Sequence, residues 1–165
     1  DAADQMVKTA QVDPLFFKTI CPGKFVAAVT GDVAAVSASV NAGRETYADA
    51  LVDWFIIPNI HRDVIGALAG ATGITERGAL GIIETFSAAS IVVASDAAVK
   101  AADVQLLDVR VALGLGGKGY ALMTGDVAAV NAAVEAGSTA AAESGLLVSK
   151  VVIPSPAETV FEQIA

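Results

Sequence analysis

The sequence is poor in the residue types from which catalytic and metal sites are usually built. Its 165 residues include one cysteine, one histidine and one tryptophan. A single cysteine excludes an intramolecular disulfide and any zinc site made from several thiolates of one chain, although a site shared between symmetry-related chains stays open. Only 17% of the residues are charged, whereas 55% are hydrophobic. This composition excludes disorder, because the chain has ample apolar surface to bury.

Long hydrophobic runs and clusters of basic residues are also absent. The longest stretch without Asp, Glu, Lys or Arg is residues 64–75, which is too short to span about 30 Å of hydrocarbon. Ten basic and eighteen acidic residues give a net charge of −8, so nucleic acid and anionic membrane surfaces are poor partners. No basic segment followed by an apolar one marks a secretory signal. We therefore expect a cytoplasmic protein that binds neither nucleic acid nor membrane.

The most informative feature that is present is an internal repeat. Residues 31–38 read GDVAAVSA, and residues 125–132 read GDVAAVNA, 94 positions later. Upstream, residues 4–12 match residues 96–104 at an offset of 92. Loops absorb a difference of two residues without disturbing the elements that they join. The chain is therefore a tandem duplication.

The duplication predicts two domains, residues 1–73 and 74–165, with the same order of elements. Apolar periodicity and turn residues indicate a helix, a hairpin with a glycine-bearing turn, a helix capped by Asp, a strand that ends at Pro, and a short helix. In the first copy the helices are predicted at residues 4–11, after Asp32 and at 62–68, and the strands at 15–20, 24–30 and 51–57. In the second copy the helices are predicted at residues 88–103, after Asp126 and at 157–164, and the strands at 105–113, 118–124 and 146–153.

The second copy also begins with a strand for which the first copy has no counterpart. Residues 79–86 are an apolar run of strand length between Gly78 and Ser87. Each complete unit is thus an α+β domain of ferredoxin-like type, in which helices pack on one face of an antiparallel sheet. Only three residues precede Asp4, so we expect the first strand of domain 1 to be missing. We attribute this to about one strand and turn of the natural protein that is cut off or unresolved; exchange of a strand from elsewhere is the less favoured alternative.

Several segments of the repeat resemble the bacterial microcompartment shell family. They are ALGIIET at residues 79–85, DAAVKAADV at 96–104, GGKGYALMTGDVAAVNAAV at 116–134 and VIPSP at 152–156. The first copy is also similar, from Asp4 to His61. The resemblance implies a structural shell protein, not an enzyme, of a cytoplasmic bacterial microcompartment. It further implies that three tandem-domain chains form a pseudo-hexagonal homotrimer, which tiles edge to edge with other shell proteins.

The hairpin segment KTICPGKF, residues 18–25, is similar to shell proteins of propanediol-utilisation microcompartments that carry an iron–sulfur cluster at their pore. The resemblance implies that Cys21 is a metal ligand, with one cysteine from each chain on one [4Fe–4S] cluster per trimer. Three thiolates would bind three of its four irons. An encapsulated redox enzyme is then an expected partner. The residues that are expected to line the pore are Thr19, Ile20, Cys21, Pro22, Gly23, Gly114, Leu115, Gly116 and Gly117.

From the residues alone, three interpretations of Cys21 stay open. It is a small residue in a tight turn, a cluster ligand, or a metal-free pore thiol that is oxidised in air. If Cys21 is a cluster ligand, the protein is a tile for electron transfer or cluster exchange. If Cys21 is a metal-free pore thiol, the protein is a tile that conducts small metabolites. A trimeric regulator that binds a small molecule between subunits is the alternative from another class.

Four further features have both a functional and a structural interpretation. Lys8 and Lys100 are equivalent in the repeat, and the resemblance places such a lysine at the assembly edge; the alternative is two solvated helix-end lysines. His61 lies at a strand-to-helix turn, where a structural hydrogen bond is favoured over catalysis. The glycine-rich residues 114–117 lead into no helix, so a role in the pore loop is favoured over nucleotide binding.

Overall fold

The structure, a computed structural model, describes residues 1–21, 23–70, 72–111, 117–143 and 145–164. It divides into two compact units, unit 1 at Asp1–Pro58 and unit 2 at Asn59–Ala165. Within the described ranges, no helix is long and apolar enough to cross a membrane.

Unit 1 contains two helices and a two-stranded antiparallel sheet. Its elements are α1 (Ala2–Thr9), β1 (Asp13–Ile20), β2 (Lys24–Thr30), α2 (Val33–Thr46) and one turn of 3-10 helix (Ala48–Ala50). Helix α1 packs along α2, and β1 pairs with β2. The predicted helix, hairpin and second helix of the first copy are therefore confirmed.

Unit 2 contains a four-stranded antiparallel sheet with helices on both faces. Its elements are α3 (Arg62–Leu68), β3 (Ala79–Thr85), α4 (Ala88–Ala101), β4 (Gln105–Val111), β5 (Gly119–Gly125), α5 (Val127–Glu143), β6 (Leu147–Ile153) and α6 (Glu158–Ile164). The strand order is β4-β5-β3-β6. The α+β class is as predicted, but the prediction that helices cover one face of the sheet is wrong, because α6 packs on Leu80, on the face opposite α4 and α5.

The two faces of this sheet carry separate apolar cores. Successive side chains of a strand point to opposite faces, so Leu80 and Ile83 of β3 lie on different sides. Ile83 faces α4 and α5, where it is fully buried together with Ile91. Leu80 faces α6, where it packs with Phe161. Both cores depend on β3, which lies between β5 and β6 in the sheet.

The hairpins of the two units share one hydrogen-bonding register. Phe17 pairs with Ala27 in β1 and β2, and Val109 pairs with Ala121 in β4 and β5. These pairs are related by the offsets of 92 and 94 in the sequence repeat. The irregularity that follows Pro14 in β1 also recurs after Leu106 in β4. The duplication is therefore evident in the structure as well as in the sequence.

Residues 51–57 do not form the strand that was predicted for them. Their counterpart, β6, pairs with β3 alone, and the described part of unit 1 has no counterpart of β3. A strand without a hydrogen-bonding partner is not stable by itself. The prediction is wrong because the apolar pattern of a segment does not show whether a second strand is present to pair with it.

The border between the compact units precedes α3. Helix α3 packs on β4 and α4, and Thr72 Oγ1 donates a hydrogen bond of 2.5 Å to the carbonyl oxygen of Leu107. The residues that follow Pro58 therefore pack with unit 2. The predicted domain limits, at residues 73 and 74, describe the duplication of the sequence and stay a prediction.

One glycine in each unit permits the close approach of two helices. These two glycines should differ in how well they tolerate an added methyl group. A Cβ at Gly137 would lie 2.6 Å from the carbonyl oxygen of Ala94, whereas a Cβ at Gly43 would lie 2.8 Å from Cγ of Met6. Because a backbone carbonyl cannot move aside, we expect Gly137→Ala to lower the free energy of unfolding by about 1–3 kcal/mol.

The matched substitution Gly43→Ala should cost much less, because the flexible side chain of Met6 can adjust. Urea unfolding of both variants, followed by far-UV circular dichroism, measures the difference. Equal losses of stability in the two variants would contradict this assignment of the close contacts.

Candidate functional site

The turn between β1 and β2 presents the only cysteine of the chain at the surface. The last hydrogen-bonded pair of the hairpin joins Ile20 and Lys24, so three residues form the connection. Cys21 is exposed and has a free thiol. Gly23 has φ +77, a left-handed conformation that favours glycine, and nothing lies within 4 Å of the position of its missing Cβ. The turn is therefore open to an external ligand or to another chain.

The predicted pore-lining residues of this hairpin differ in accessibility. Thr19, Cys21 and Gly23 are exposed, whereas the Ile20 side chain is only 6% exposed in the single chain. Pro22 lies outside the described residues. The structure thus exposes one thiol, one hydroxyl and a glycine in a left-handed conformation at the end of the hairpin.

In the second hairpin, the predicted pore loop falls largely outside the described residues. Gly114, Leu115 and Gly116 lie outside the described residues. Gly117 is buried and has φ +93. The pore-lining role of these four residues stays a prediction.

One cationic side chain of each hairpin lies near an aromatic ring. Lys18 Nζ lies 4.3 Å from the ring centroid of Phe16, so its ammonium group is drawn toward the strand. In unit 2, Arg110 occupies the equivalent position: its Cζ lies 5.9 Å from the ring centroid of Tyr120 and its Nε lies 2.7 Å from Asp108. Each cation thus has a partner within its own hairpin.

The pKa of the Tyr120 phenol depends on the same neighbouring charges. Its hydroxyl donates to Asp108 Oδ2 at 3.3 Å. Burial, and then the negative charge of Asp108, raise the pKa of Tyr120 above its ordinary value, while Arg110 opposes the shift. The phenol therefore stays neutral at physiological pH and serves as a hydrogen-bond donor on this face of the sheet.

Cys21 is the only thiol that a single chain can offer to a metal. Across the described ranges, no three side chains of His, Cys, Asp or Glu come together as a metal site. An exposed thiol is a suitable ligand for an iron–sulfur cluster, since such clusters are held by cysteine thiolates. Several copies of the chain must contribute if Cys21 is to bind a cluster.

The two predicted edge lysines form the same ion pair in the two units but in different surroundings. Lys8 Nζ lies 2.6 Å from Asp4 Oδ2, with both side chains more than half exposed. Lys100 Nζ lies 2.5 Å from Asp96 Oδ2, and the Asp96 side chain is only 10% exposed. Lys100 is therefore the more firmly held of the two, and the edge role of both stays a prediction.

His61 has the structural role that was predicted for it. Its Nδ1 accepts a hydrogen bond of 3.3 Å from the backbone N–H of Asp63, which caps the start of α3. Its own backbone N–H donates to Asp96 Oδ1 at 2.8 Å.

Asp96 was not singled out in the sequence, although it joins α4 to the residue that precedes α3. It accepts from Lys100 within α4 and from the backbone of His61, 35 residues earlier. The available signal was the Asp-Lys spacing of four, which recurs at Asp4 and Lys8. That spacing predicts a helical ion pair but not the contact with His61.

Two copies of one helix–hairpin–helix unit in a single chain define a tandem-domain protein of the ferredoxin-like α+β class. Residues 1–60 and 79–156 match the BMC domain family, and the chain belongs to this family: it is a bacterial microcompartment shell protein of the tandem-domain type. The predicted family, fold class and location in the microcompartment shell are therefore confirmed.

Similar proteins match either nearly the whole chain or about half of it. The bacterial microcompartment shell protein PduT of Citrobacter freundii is 46% identical over 164 residues, which are 99% of this chain and 89% of PduT. A crystal structure of a microcompartment protein from Desulfitobacterium hafniense DCB has a TM-score of 0.93 and 50% identity, over 98% of this chain and 89% of that one. The shell protein EutM of Salmonella typhimurium is 51% identical over 78 residues, which are 47% of this chain and 79% of EutM.

Proposed function

We propose that three copies of this chain form a pseudo-hexagonal tile of the microcompartment shell. Each chain contributes two units with equivalent hairpins, so a closed threefold arrangement would present six similar sectors. Such a tile can join other shell proteins along its edges. Lys8 and Lys100 are the edge residues of this proposal, and the paired aspartates would fix the direction of their ammonium groups. The role is structural and does not require catalysis.

The observation that carries the finer function is the exposed thiol of Cys21 at the end of a glycine-bearing turn. Around a threefold axis, three such thiols would meet and hold one [4Fe–4S] cluster at a central pore. The cluster would supply one-electron transfer or would be exchanged across the shell, with an encapsulated redox enzyme as partner. The chain itself supplies the ligand and keeps it accessible, because no side chain at Gly23 closes the turn.

Iron and acid-labile sulfide, measured per chain after anaerobic purification or reconstitution, test this proposal. We expect about four irons per trimer in the wild-type protein and none in Cys21→Ser. Multi-angle light scattering on the same samples should give the mass of a trimer in both cases. Thr19→Ser, a conservative change at an exposed position of the same hairpin, is the matched control and should retain the iron.

The outcomes separate the parts of the proposal. Loss of iron in Cys21→Ser with an intact trimer supports the cluster. A wild-type trimer without iron after reconstitution overturns the cluster and leaves a metal-free tile for small metabolites. A wild-type protein that stays monomeric at high concentration overturns the tile.

A further inference from the structure

The end of the first copy of the sequence repeat packs on the second copy. Helix α3, which follows the turn at Pro58, contacts β4 and α4, and its Val64 is fully buried. The backbone N–H of His61, directly before this helix, donates to Asp96 Oδ1 at 2.8 Å. A carboxylate of the second copy thus accepts a hydrogen bond from the turn that ends the first copy.

The second copy ends in the same turn and the same short helix. At the repeat offset of 96, Ala157 is the counterpart of His61, and α6 is the counterpart of α3. No residue of the described ranges accepts a hydrogen bond from the Ala157 N–H. Val160, the counterpart of the buried Val64, is only partly buried. This turn therefore presents a backbone donor for which the described part of the chain has no acceptor.

The acceptor that matches this donor lies on α1. At the offset of 92, Asp4 and Lys8 are the counterparts of Asp96 and Lys100, and both pairs join the lysine to Oδ2. Among the described residues, no donor reaches Oδ1 of Asp4, the atom that in Asp96 accepts the backbone N–H. The Asp4 side chain is 53% exposed, whereas that of Asp96 is 10% exposed. Asp4 thus lacks the cover and the second donor that its counterpart has.

We propose that the backbone N–H of Ala157 donates to Asp4 Oδ1 of a second copy of this chain. The bond repeats, between chains, the one that His61 and Asp96 form within a chain. In a closed threefold arrangement, each chain would donate from Ala157 to one neighbour and accept at Asp4 from the other. The same bond would then occur alternately within and between chains around the ring. The inference rests on the proposed trimer, assigns residues that join its subunits, and does not involve the cluster.

This contact is compatible with the edge role proposed for the two lysines. Within the chain, the Asp96 side chain is nearly buried, while the Lys100 side chain stays 42% exposed. By the same geometry, the partner chain would cover Asp4, and the ammonium group of Lys8 would stay accessible at the edge of the tile. The bond would be charge-assisted, because its acceptor is a carboxylate, and such bonds are about twice as strong as neutral ones.

Subunit exchange between unlabelled and isotope-labelled trimers, followed by native mass spectrometry, tests the contact. Asp4→Ala removes the acceptor, and Ala157→Pro removes the donor, because proline has no backbone N–H. Each change should accelerate exchange at least about tenfold, since loss of one partner of a charged hydrogen bond acts mainly on dissociation. The double variant should exchange no faster than the faster single variant, because both changes remove the same bond.

Three variants are matched controls. Ala157→Ser keeps the N–H, Asp4→Asn keeps an acceptor oxygen, and Lys8→Ala breaks the ion pair but keeps the carboxylate. Each should exchange within about threefold of the wild-type rate. The unfolding of the dissociated chain should differ little between Asp4→Ala and wild type, because Asp4 binds only Lys8 there. The same series in Cys21→Ser should give the same order of rates, since a shared cluster is then absent.

A failure of this contact is distinguishable from a failure of the tile. A wild-type protein that is monomeric overturns the trimer and the contact with it. A wild-type trimer whose exchange rate is unchanged in both Asp4→Ala and Ala157→Pro overturns the contact alone. Additive acceleration in the double variant would also overturn it, because the two residues would then act at different places.

Discussion

Replacement of Asp96 by alanine is expected to lower the free energy of unfolding by about 2–3 kcal/mol. The carboxylate is nearly buried and accepts two hydrogen bonds, from Lys100 Nζ at 2.5 Å and from the backbone N–H of His61 at 2.8 Å. Alanine leaves the partly buried N–H of His61 without its acceptor and releases the ammonium group of Lys100. Urea unfolding of the full chain, followed by far-UV circular dichroism, measures the loss.

The repeat supplies a matched control for this prediction. Asp4 forms the same pair with Lys8, but in solvent and, among the described residues, without a backbone donor from elsewhere. Asp4→Ala should therefore change stability by no more than about 0.5 kcal/mol. Asp96→Asn, which keeps an acceptor for the N–H of His61, should fall between the two. Equal effects of Asp4→Ala and Asp96→Ala would contradict the bridging role of Asp96.

Most of the fold follows from patterns that are local in the sequence. The apolar spacing of residues 24–30 and 118–124 predicts the strands, and the aspartates before α2 and α5 mark the helix starts, although the Asp32 side chain forms no capping hydrogen bond. The duplication then links the two units, so that one register serves both hairpins. Local pattern and repeat together predict the elements because hairpins and capped helices depend on residues close in sequence.

The strand at residues 51–57 could not be predicted correctly, because its stability depends on a distant neighbour. The same segment type is a strand in unit 2, where β3 lies beside it. In unit 1 the described residues offer no such neighbour, and Phe17 and Phe25 are also left 39% and 58% exposed. Composition and periodicity describe a segment, whereas sheet pairing depends on which other segments are present.

The candidate site shows the same division between local and distant information. The turn that exposes Cys21 is evident from Pro22 and Gly23 in the sequence. The direction of the Lys18 side chain is not evident from the sequence, because it depends on where the ring of Phe16 lies. The contact between His61 and Asp96 spans 35 residues, so no local pattern could have revealed it.

Replacement of Phe161 by alanine is expected to lower the free energy of unfolding by about 3–5 kcal/mol. Phe161 is 2% exposed and is the buried residue of α6. It packs against Leu80, Leu107 and Leu122 of the sheet. A helix of seven residues is not stable alone, so its attachment depends on this side chain. The leucines cannot collapse into the cavity, because hydrogen bonds fix their strands.

The neighbouring residues provide the controls for this prediction. Glu162 is exposed, and Glu162→Ala should change stability by no more than about 0.5 kcal/mol. Val160 is partly buried against the same cluster, so Val160→Ala should have an intermediate effect. Hydrogen exchange of residues 158–164 should accelerate in Phe161→Ala before the sheet opens. A loss below about 1 kcal/mol, with unchanged exchange in α6, would show that this helix is held by contacts other than Phe161.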